Sequence, residues 1–420
     1  MTAAFLRFNR RTFASLAHRN YRLYFIGQVV SVTGTWMQNI AMAWLILELT
    51  HSPVAVGALA LCQFLPFTVF GLFAGVIVDR FDARRIVIWT QAASMILAVA
   101  LAVPTLLGEV TPWIVYLLAG LRGTVLVLDA PSRQALTFQM VGPRELPNAV
   151  ALNSSLFNGA RVLGPALGGG VVAIAGAGFC FAFNAVSFLA VLVALLAMRA
   201  EDLLPPGRNE ERPRLLKGTG EALRYVRRTP RAATVLGLVA VASAFGFNFN
   251  VLLPVMAKST LHAGPGTFGA VTACFGGGAL LGALASAALG KARMRLFLAA
   301  LTGFGLGEAL LAPQRSVAAA GALLFVVGFC FTLWTSNSNA TLQLEAPSHL
   351  RGRVIGLYYY AFNGSGPAAG LLAGWLASIG GTELAYGVGG LVTLGVTLLV
   401  IAYRLPRPAF RLAHLFGFKL

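Results

Sequence analysis

The feature that most constrains this chain is a succession of apolar runs of 18 or more residues along its whole length. One such run crosses the hydrocarbon core of a bilayer as a helix. With 57% hydrophobic and only 11% charged residues, the chain is far more apolar than a soluble domain. We therefore predict an all-α membrane protein with about twelve spans. The predicted spans are 21–49, 53–79, 85–107, 112–135, 148–175, 178–198, 232–257, 266–289, 294–312, 317–343, 354–379 and 383–403.

The basic residues are distributed asymmetrically between the two ends of these spans. When the N-terminus is placed in the cytoplasm, 28 of the 32 lysines and arginines fall on the cytoplasmic side. Because positive charge favours that side, both termini are predicted to be cytoplasmic. The same distribution accounts for the net charge of +18, so nucleic acid is excluded as a partner.

The chain offers no pattern for a metal site or a catalytic centre. Its four cysteines lie singly in apolar runs, and its five histidines lie in loops, helix ends or tails. Neither set has the spacing of metal ligands or of paired catalytic groups. We therefore expect no metal and no enzymatic activity. The first apolar run is too long for a signal-peptide core and is expected to remain as the first helix.

The polar interval 201–231 is the longest in the chain and divides it in two. Apolar residues recur among the arginines of its second half, as in a short helix on an anionic membrane face or in a solvated linker. We predict an N-terminal six-helix bundle over 1–200, a cytoplasmic linker over 201–231, and a C-terminal six-helix bundle with a cytoplasmic tail over 232–420.

The two halves carry related patterns. Phe157-Asn158-Gly159 precedes Gly164-Pro165, and Phe362-Asn363-Gly364 precedes Gly366-Pro367 about two hundred residues later. Transporters built from such parallel repeats bind their substrate near the middle of the membrane, between the repeats. The pattern therefore predicts two six-helix repeats.

The charged run from Gly75 to Arg85, GVIVDRFDARR, directly follows a long apolar segment and must lie at a membrane exit. It resembles the signature loop between the second and third helices of the major facilitator superfamily, although Asp82 and Ala83 replace the commonest Gly and Arg. In that superfamily the loop is a cytoplasmic latch between the halves of a rocking transporter. The resemblance assigns this gating latch to Gly75, Asp79, Arg80, Arg84 and Arg85.

The run GPALGG forms a second motif, in the fifth helix. Gly164 and Gly168 share a helical face, so another backbone can approach closely, and Pro165 permits a bend. The run resembles the antiporter motif of exporters in the superfamily, although ordinary glycine packing would also explain it. The candidate residues of this helix are Arg161, Gly164, Pro165, Gly168 and Gly169.

Several longer segments narrow the resemblance. WMQNIAMAWLILELTHSPVAVG, LDAPSRQAL, ELPNAVALNSSLFNGARVLGPALGG and HLRGRVIGLYY together resemble the drug:proton antiporter branch that includes the enterobactin (siderophore) exporter. This branch implies an exporter of small amphipathic organic compounds, of siderophore or drug type, in a bacterial inner membrane. It works by alternating access.

The implied partners are a small-molecule cargo, protons and the lipid bilayer. The implied energy source is the proton gradient, without a cofactor, and we expect a monomer. Two alternatives stay open: an importer or facilitator of the same fold, and a non-transporting membrane scaffold or sensor.

Charges inside a span cost roughly 2.5 to 3.5 kcal/mol each at a helix centre, so each needs a reason. Arg122, Asp129 and Arg133 share one face of the fourth helix as a coupling or charge relay. We expect Asp129 either to pair with a latch arginine or to carry the coupling proton. Arg161 is expected to face a cavity, where it would hold an anionic group, or to pair with an acidic residue. Glu308 is expected to be a packing or snorkelling residue, because the ninth helix is peripheral in the superfamily.

Polar and aromatic residues interrupt the apolar helices that resemble the superfamily's transport pathway. Aromatic walls with scattered amide groups suit an amphipathic cargo better than a bare ion. Hydrogen bonds between helices would explain part of the same pattern. The predicted pathway residues are Trp36, Gln38, Asn39, Asn158, Phe245, Asn248, Trp334, Asn337, Tyr359 and Asn363.

Overall fold

Helices make up all the regular secondary structure in the described part of the chain. The structure is a computed structural model that describes residues 13–78, 81–205, 215–289, 292–347 and 350–404. Within these ranges, the side chains at 72–78, 215–219 and 404 are not described.

The N-terminal half contains six long helices in succession. They are α1 (Arg19–Thr50), α2 (Pro53–Val78), α3 (Ala83–Leu106), α4 (112–141), α5 (143–175) and α6 (Ala177–Leu196). Only Gly142 separates α4 from α5, with a φ of 70° that favours glycine. This single-residue break explains why the predicted start of the fifth span, residue 148, lies inside α5.

The C-terminal half follows a short helix, α7 (Leu215–Arg228). Its long helices are α8 (Pro230–Thr260), α9 (Pro265–Leu289), α10 (Met294–Leu311), α11 (Val317–Glu345), α12 (Arg351–Asn363 continued by 366–379) and α13 (382–404). Gly380 and Gly381 break the chain between α12 and α13.

Nine helical segments of the described ranges are long and apolar enough to cross a membrane. Two of them contain two crossings each, because they include the breaks at Gly142 and at Gly380. The 32-residue α1, which is more polar, completes the set of twelve. The prediction of an all-α membrane protein with twelve spans is confirmed.

The middle of α8 departs from α-helical geometry. A π-helical turn at Ala242–Gly246 separates the α-helical piece Pro230–Val241 from Phe249–Val255. The Asn248 side-chain amide donates to the carbonyl groups of Ala244 and Phe245, both at 3.3 Å. Such π turns are rare and occur frequently at functional sites.

The two halves meet along two helix pairs, α5 with α9 and α2 with α12. Both pairs approach through glycine. A methyl group built on Gly169 would lie 2.6 Å from the Cα atom of Gly269, and one built on Gly57 would lie 2.6 Å from the carbonyl oxygen of Gly370. The backbones at these interfaces therefore approach each other closely, which small residues permit.

We call the end where α1 begins and α13 ends the termini side, and the opposite end the far side. On the far side, the Lys258 ammonium group donates to the carbonyl of Leu47 at 3.2 Å, and the Trp44 and Phe268 rings stack with centroids 5.8 Å apart. Among the described residues, the hydrogen bonds and ring contacts between the halves lie between the far side and the middle of the helices. The halves are therefore closed against each other on the far side.

The linker helix α7 packs against the C-terminal half. The Tyr225 hydroxyl donates to the carbonyl of Glu345 at 2.8 Å, and Arg353 pairs with Glu221 at 2.6 Å. Ala222 and Val226 are buried at this contact. The helix is thus docked on the protein, which neither of the two sequence-based interpretations included.

Candidate transport site

The described part of the predicted latch binds within the N-terminal half. Arg84 donates to the carbonyl of Leu195 at 2.8 Å and 3.0 Å, at the end of α6. Asp82 accepts from the backbone N–H of Arg85 at 2.9 Å and caps the start of α3. Asp79 and Arg80 lie outside the described residues, and Gly75 lies in α2 where side chains are not described. The latch between the halves stays a prediction.

Asp129 is buried between α3 and α4, and both of its carboxylate oxygens have partners. Its Oδ1 accepts from the Thr90 hydroxyl at 2.5 Å and from the Gln91 amide at 3.0 Å. Its Oδ2 pairs with the Arg133 guanidinium, one turn later on the same helix. The described charged partner of Asp129 is therefore an arginine of α4, and the expected pair with a latch arginine stays a prediction, because Arg80 lies outside the described residues.

Two predicted pathway residues of α1 hold the N-terminal half together. The Arg122 guanidinium donates to Asn39 Oδ1 at 2.9 Å. Gln38 is buried and accepts from the side-chain amide of Asn184 in α6 at 2.6 Å. Gln38 thus lies in the interior of this half, which corrects its placement on the transport pathway.

The glycine motif of α5 packs against two different helices. Methyl groups built on Gly164 and Gly168 would clash with Trp36 and Met37 of α1. Gly169 instead faces α9, and a methyl group built on Gly269 would lie 2.5 Å from the carbonyl oxygen of Pro165. The motif therefore sits at the junction between the N-terminal half and the C-terminal half.

Arg161 lies one turn before the motif, among aromatic rings of both halves. Its guanidinium carbon lies 5.4 Å from the ring centroid of Trp36, 5.6 Å from Phe275 and 5.2 Å from Phe331. These are cation–π distances. No carboxylate among the described residues lies within ion-pair distance of Arg161. Its positive charge is therefore held by aromatic faces without a neutralising partner in the described structure.

An aromatic cluster extends from Arg161 into the C-terminal half. Phe247 stacks on Phe331 with centroids 4.6 Å apart and lies 5.4 Å from Phe362. Trp334 is fully buried in the cluster, and its indole N–H has no hydrogen-bond partner among the described residues. The members of the cluster are Phe247, Phe249, Phe275, Phe304, Phe331, Trp334 and Phe362.

The other predicted pathway residues divide into two groups. Asn248 and Asn363 line a cavity between α2, α8 and α12 with Phe64, Ser243 and Phe247. The remaining residues lie elsewhere. Asn337 is buried and accepts from the backbone N–H of Arg293, and the Asn158 amide donates to the carbonyl of Ser154 within α5. Tyr359 is half exposed beside Tyr358, and Phe245 makes no ring contact with the described cluster. The structure therefore brings together about half of the predicted pathway.

Glu308 is not peripheral. Only 1% of its surface is exposed, and the residue points into the C-terminal half between α8, α10 and α13. Its Oε2 atom has no hydrogen-bond partner among the described residues. Of the two roles expected for Glu308, snorkelling is wrong, because α10 turns this side chain toward the interior.

Residues 10–412 match the family described as transmembrane secretion effector, within the major facilitator superfamily. The chain belongs to this transmembrane secretion effector family. The resemblance drawn from the latch and helix-five motifs is thereby confirmed.

Sequence similarity to known relatives extends over most of the chain. The multidrug efflux pump Tap of Mycolicibacterium fortuitum is 28% identical over 89% of the chain and 92% of its own length. The staphyloferrin A transporter of Staphylococcus aureus is 24% identical over 90% and 94%. The enterobactin exporter EntS of Escherichia coli is 26% identical over 93% of both chains.

Solved structures show that the secretion effector has the transporter fold. A point mutant of the nucleoside transporter NupG superimposes with a TM-score of 0.72 over 92% of this chain and 98% of its own, at 12% identity. A POT family transporter in complex with 5-aminolevulinic acid gives a TM-score of 0.74 over 92% and 96%, also at 12% identity. At this identity the likeness concerns the fold alone.

Proposed function

We propose that this secretion effector exports small amphipathic organic compounds by alternating access, driven by proton entry. The observation that carries the proposal is the aromatic cluster around Arg161, which joins the two halves near the middle of the helices. The relatives, a multidrug efflux pump, a staphyloferrin A transporter and an enterobactin exporter, support export of organic cargo. The protein acts as a monomer in a bacterial inner membrane.

The orientation of the chain in the membrane indicates which side of the transporter is closed in this structure. The positive-inside distribution supports a cytoplasmic termini side and a periplasmic far side. The halves are packed together on the far side, so the structure corresponds to a state closed toward the periplasm. Cargo enters the site from the cytoplasm in this state and leaves after the far side opens.

The site favours a cargo with a planar apolar part and an acidic group. The rings offer faces for the apolar part, and the unneutralised Arg161 guanidinium offers donors to an anion. A charge-assisted hydrogen bond contributes about 1.5–3 kcal/mol, which corresponds to roughly tenfold or more in affinity. A cationic cargo of the same size would be repelled by the same group.

Two xanthene dyes of opposite charge test this function. Inverted membrane vesicles containing the protein should accumulate anionic fluorescein when energised, and a protonophore should stop the accumulation. Rhodamine 6G, a cation, should accumulate less. Arg161→Gln should reduce fluorescein transport about tenfold or more, whereas Arg161→Lys should retain part of it.

Three outcomes would contradict the proposal. Transport in the opposite direction would indicate an importer. Fluorescein accumulation that continues in the presence of the protonophore would contradict proton coupling. Fluorescein accumulation equal to that of vesicles lacking the protein would contradict export of this class of cargo.

A further inference from the structure

The carboxyl group of Glu308 lies inside the membrane-spanning part of the C-terminal half, where its Oε2 atom has no hydrogen-bond or ion-pair partner among the described residues. An intramembrane acidic residue normally pairs with a cation or lies in a water-filled cavity. Glu308 is almost completely buried, and no ion pair among the described residues includes it. Its burial therefore requires another explanation.

The surroundings of this carboxyl are unpaired hydroxyl groups and glycine backbone. A methyl group built on Gly246, in the π turn of α8, would lie 2.8 Å from Glu308 Oε2, and one on Gly389 of α13 would lie 3.8 Å away. The hydroxyls of Tyr386 and Thr393 in α13 are buried without partners among the described residues. Tyr386 is a titratable residue of α13 that lies close to Glu308.

The charged residues of the helices packed around Glu308 lie near helix ends. Those with described side chains are Arg231, Lys258, Arg295, Glu345 and Glu383. Arg231 pairs with Glu345, Glu383 pairs with Arg315, and the Lys258 ammonium group is directed to α1. On α11, the Cys330 thiol contacts Gly303, more than one turn away from Glu308 along α10. No positive charge among the described residues therefore compensates an ionised Glu308.

An ionised carboxylate without such compensation would carry the full cost of leaving water. The neutral acid avoids this cost. The physical consequence is that the state closed on the far side holds a proton on Glu308.

The π turn connects this carboxyl with the small cavity between α2, α8 and α12, beside the aromatic cluster. Gly246 of the turn lies against Glu308, while Ser243 of the same turn and the adjacent Phe247 line the cavity. The Ser243 hydroxyl is buried without a partner in the described part of the chain. A movement of this turn on cargo binding would therefore change the surroundings of the carboxyl directly.

We propose that Glu308 is a proton-binding site of this transporter, and that the π turn at Ala242–Gly246 couples its occupancy to the aromatic cluster through the adjacent Phe247. The proton binds from the periplasm when the far side is open and leaves toward the cytoplasm from the closed state. As a coupling site the inference rests on the proposed function, whereas proton binding itself does not.

Infrared spectroscopy on the full-length protein in lipid tests proton binding without cargo. A C=O stretching band of a buried protonated carboxyl should appear in wild type, shift in deuterated buffer and disappear in Glu308→Gln. Asp129→Asn should retain the band. Glu308→Asp should shift its position, and this variant decides the outcome if the amide variant does not fold. A band unchanged in Glu308→Gln, or in Glu308→Asp, would overturn the proposal.

Reconstituted vesicles test the coupling. Glu308→Gln should reduce gradient-driven fluorescein accumulation to the level of protein-free vesicles and keep downhill exchange at the wild-type rate. Full gradient-driven accumulation in Glu308→Gln would overturn the coupling role. Failure of wild type to transport the dye would instead count against the proposed function, and the infrared result would still decide proton binding.

Discussion

The glycine contact between α5 and α9 predicts a large effect from one added methyl group. In Gly169→Ala, the new Cβ atom would lie 2.6 Å from both the Cα atom of Gly269 and the carbonyl oxygen of Pro265. Carbon atoms in ordinary contact are roughly 3.5–4.0 Å apart, so the two helices must separate by about 1 Å at this point.

That separation has a cost only in the state in which the helices touch. Overpacking of this kind typically costs about 1–3 kcal/mol. A state that is open on the far side does not contain the contact and is not destabilised. The equilibrium should therefore move toward the open state by roughly 5- to 150-fold.

Gly170→Ala is the matched control, because no heavy atom lies within 4 Å of a methyl group built on Gly170. Spin labels at Glu109 and Ser316, both exposed on the far side, report the distance between the halves. The labels require a background in which the four native cysteines are replaced by alanine.

Pulsed electron paramagnetic resonance should show longer distances in Gly169→Ala and the parent distribution in Gly170→Ala. Equal distributions in the two variants, at equal thermal stability, would refute the role of this contact in closing the far side.

Three further predictions concern charge and topology. Asp129→Asn should lower stability by up to about 3 kcal/mol, because the partly buried Arg133 loses its charged partner. Gradient-driven transport per folded molecule should survive, and abolished transport with downhill exchange intact would make Asp129 a proton carrier. Cysteines at Asn209 and Ser316 should react with impermeant maleimide from opposite faces of the membrane, and labelling of both from the periplasm would overturn the topology. Asp79→Ala should slow export at normal abundance, and an unchanged export rate would remove the latch from the mechanism.

The spans were predictable from the sequence because lipid imposes their length and composition. The site was less predictable, and the π turn of α8 is one reason. It adds residues to a helical turn, so the helical phase counted from the sequence fails beyond residue 246. Phe245 is among the predicted pathway residues, whereas Phe247, directly after the turn, lies at the centre of the aromatic cluster.

The surroundings of the two buried acids, Asp129 and Glu308, could be predicted from the sequence to different extents. The Asp129 pair was readable, since Arg133 follows at the i+4 position on the same helix. For Glu308 the prediction assumed that α10, the ninth membrane span, is peripheral, as it is in the superfamily. A signal was present in Gly305 and Gly307, which let α13 and α11 approach this part of α10 closely. Small residues beside an acid could have indicated an interior face.

Closure of the far side through glycine has an entropic consequence. Gly57, Gly169, Gly269 and Gly370 have no side-chain rotamers, so bringing their backbones together orders no side-chain torsions at these positions. The contact also gains little from apolar burial, because lipid is as apolar as the protein surface it replaces. Neither forming nor breaking this seam is therefore strongly favoured, which keeps the two end states close in free energy and lets a single proton or cargo molecule decide between them.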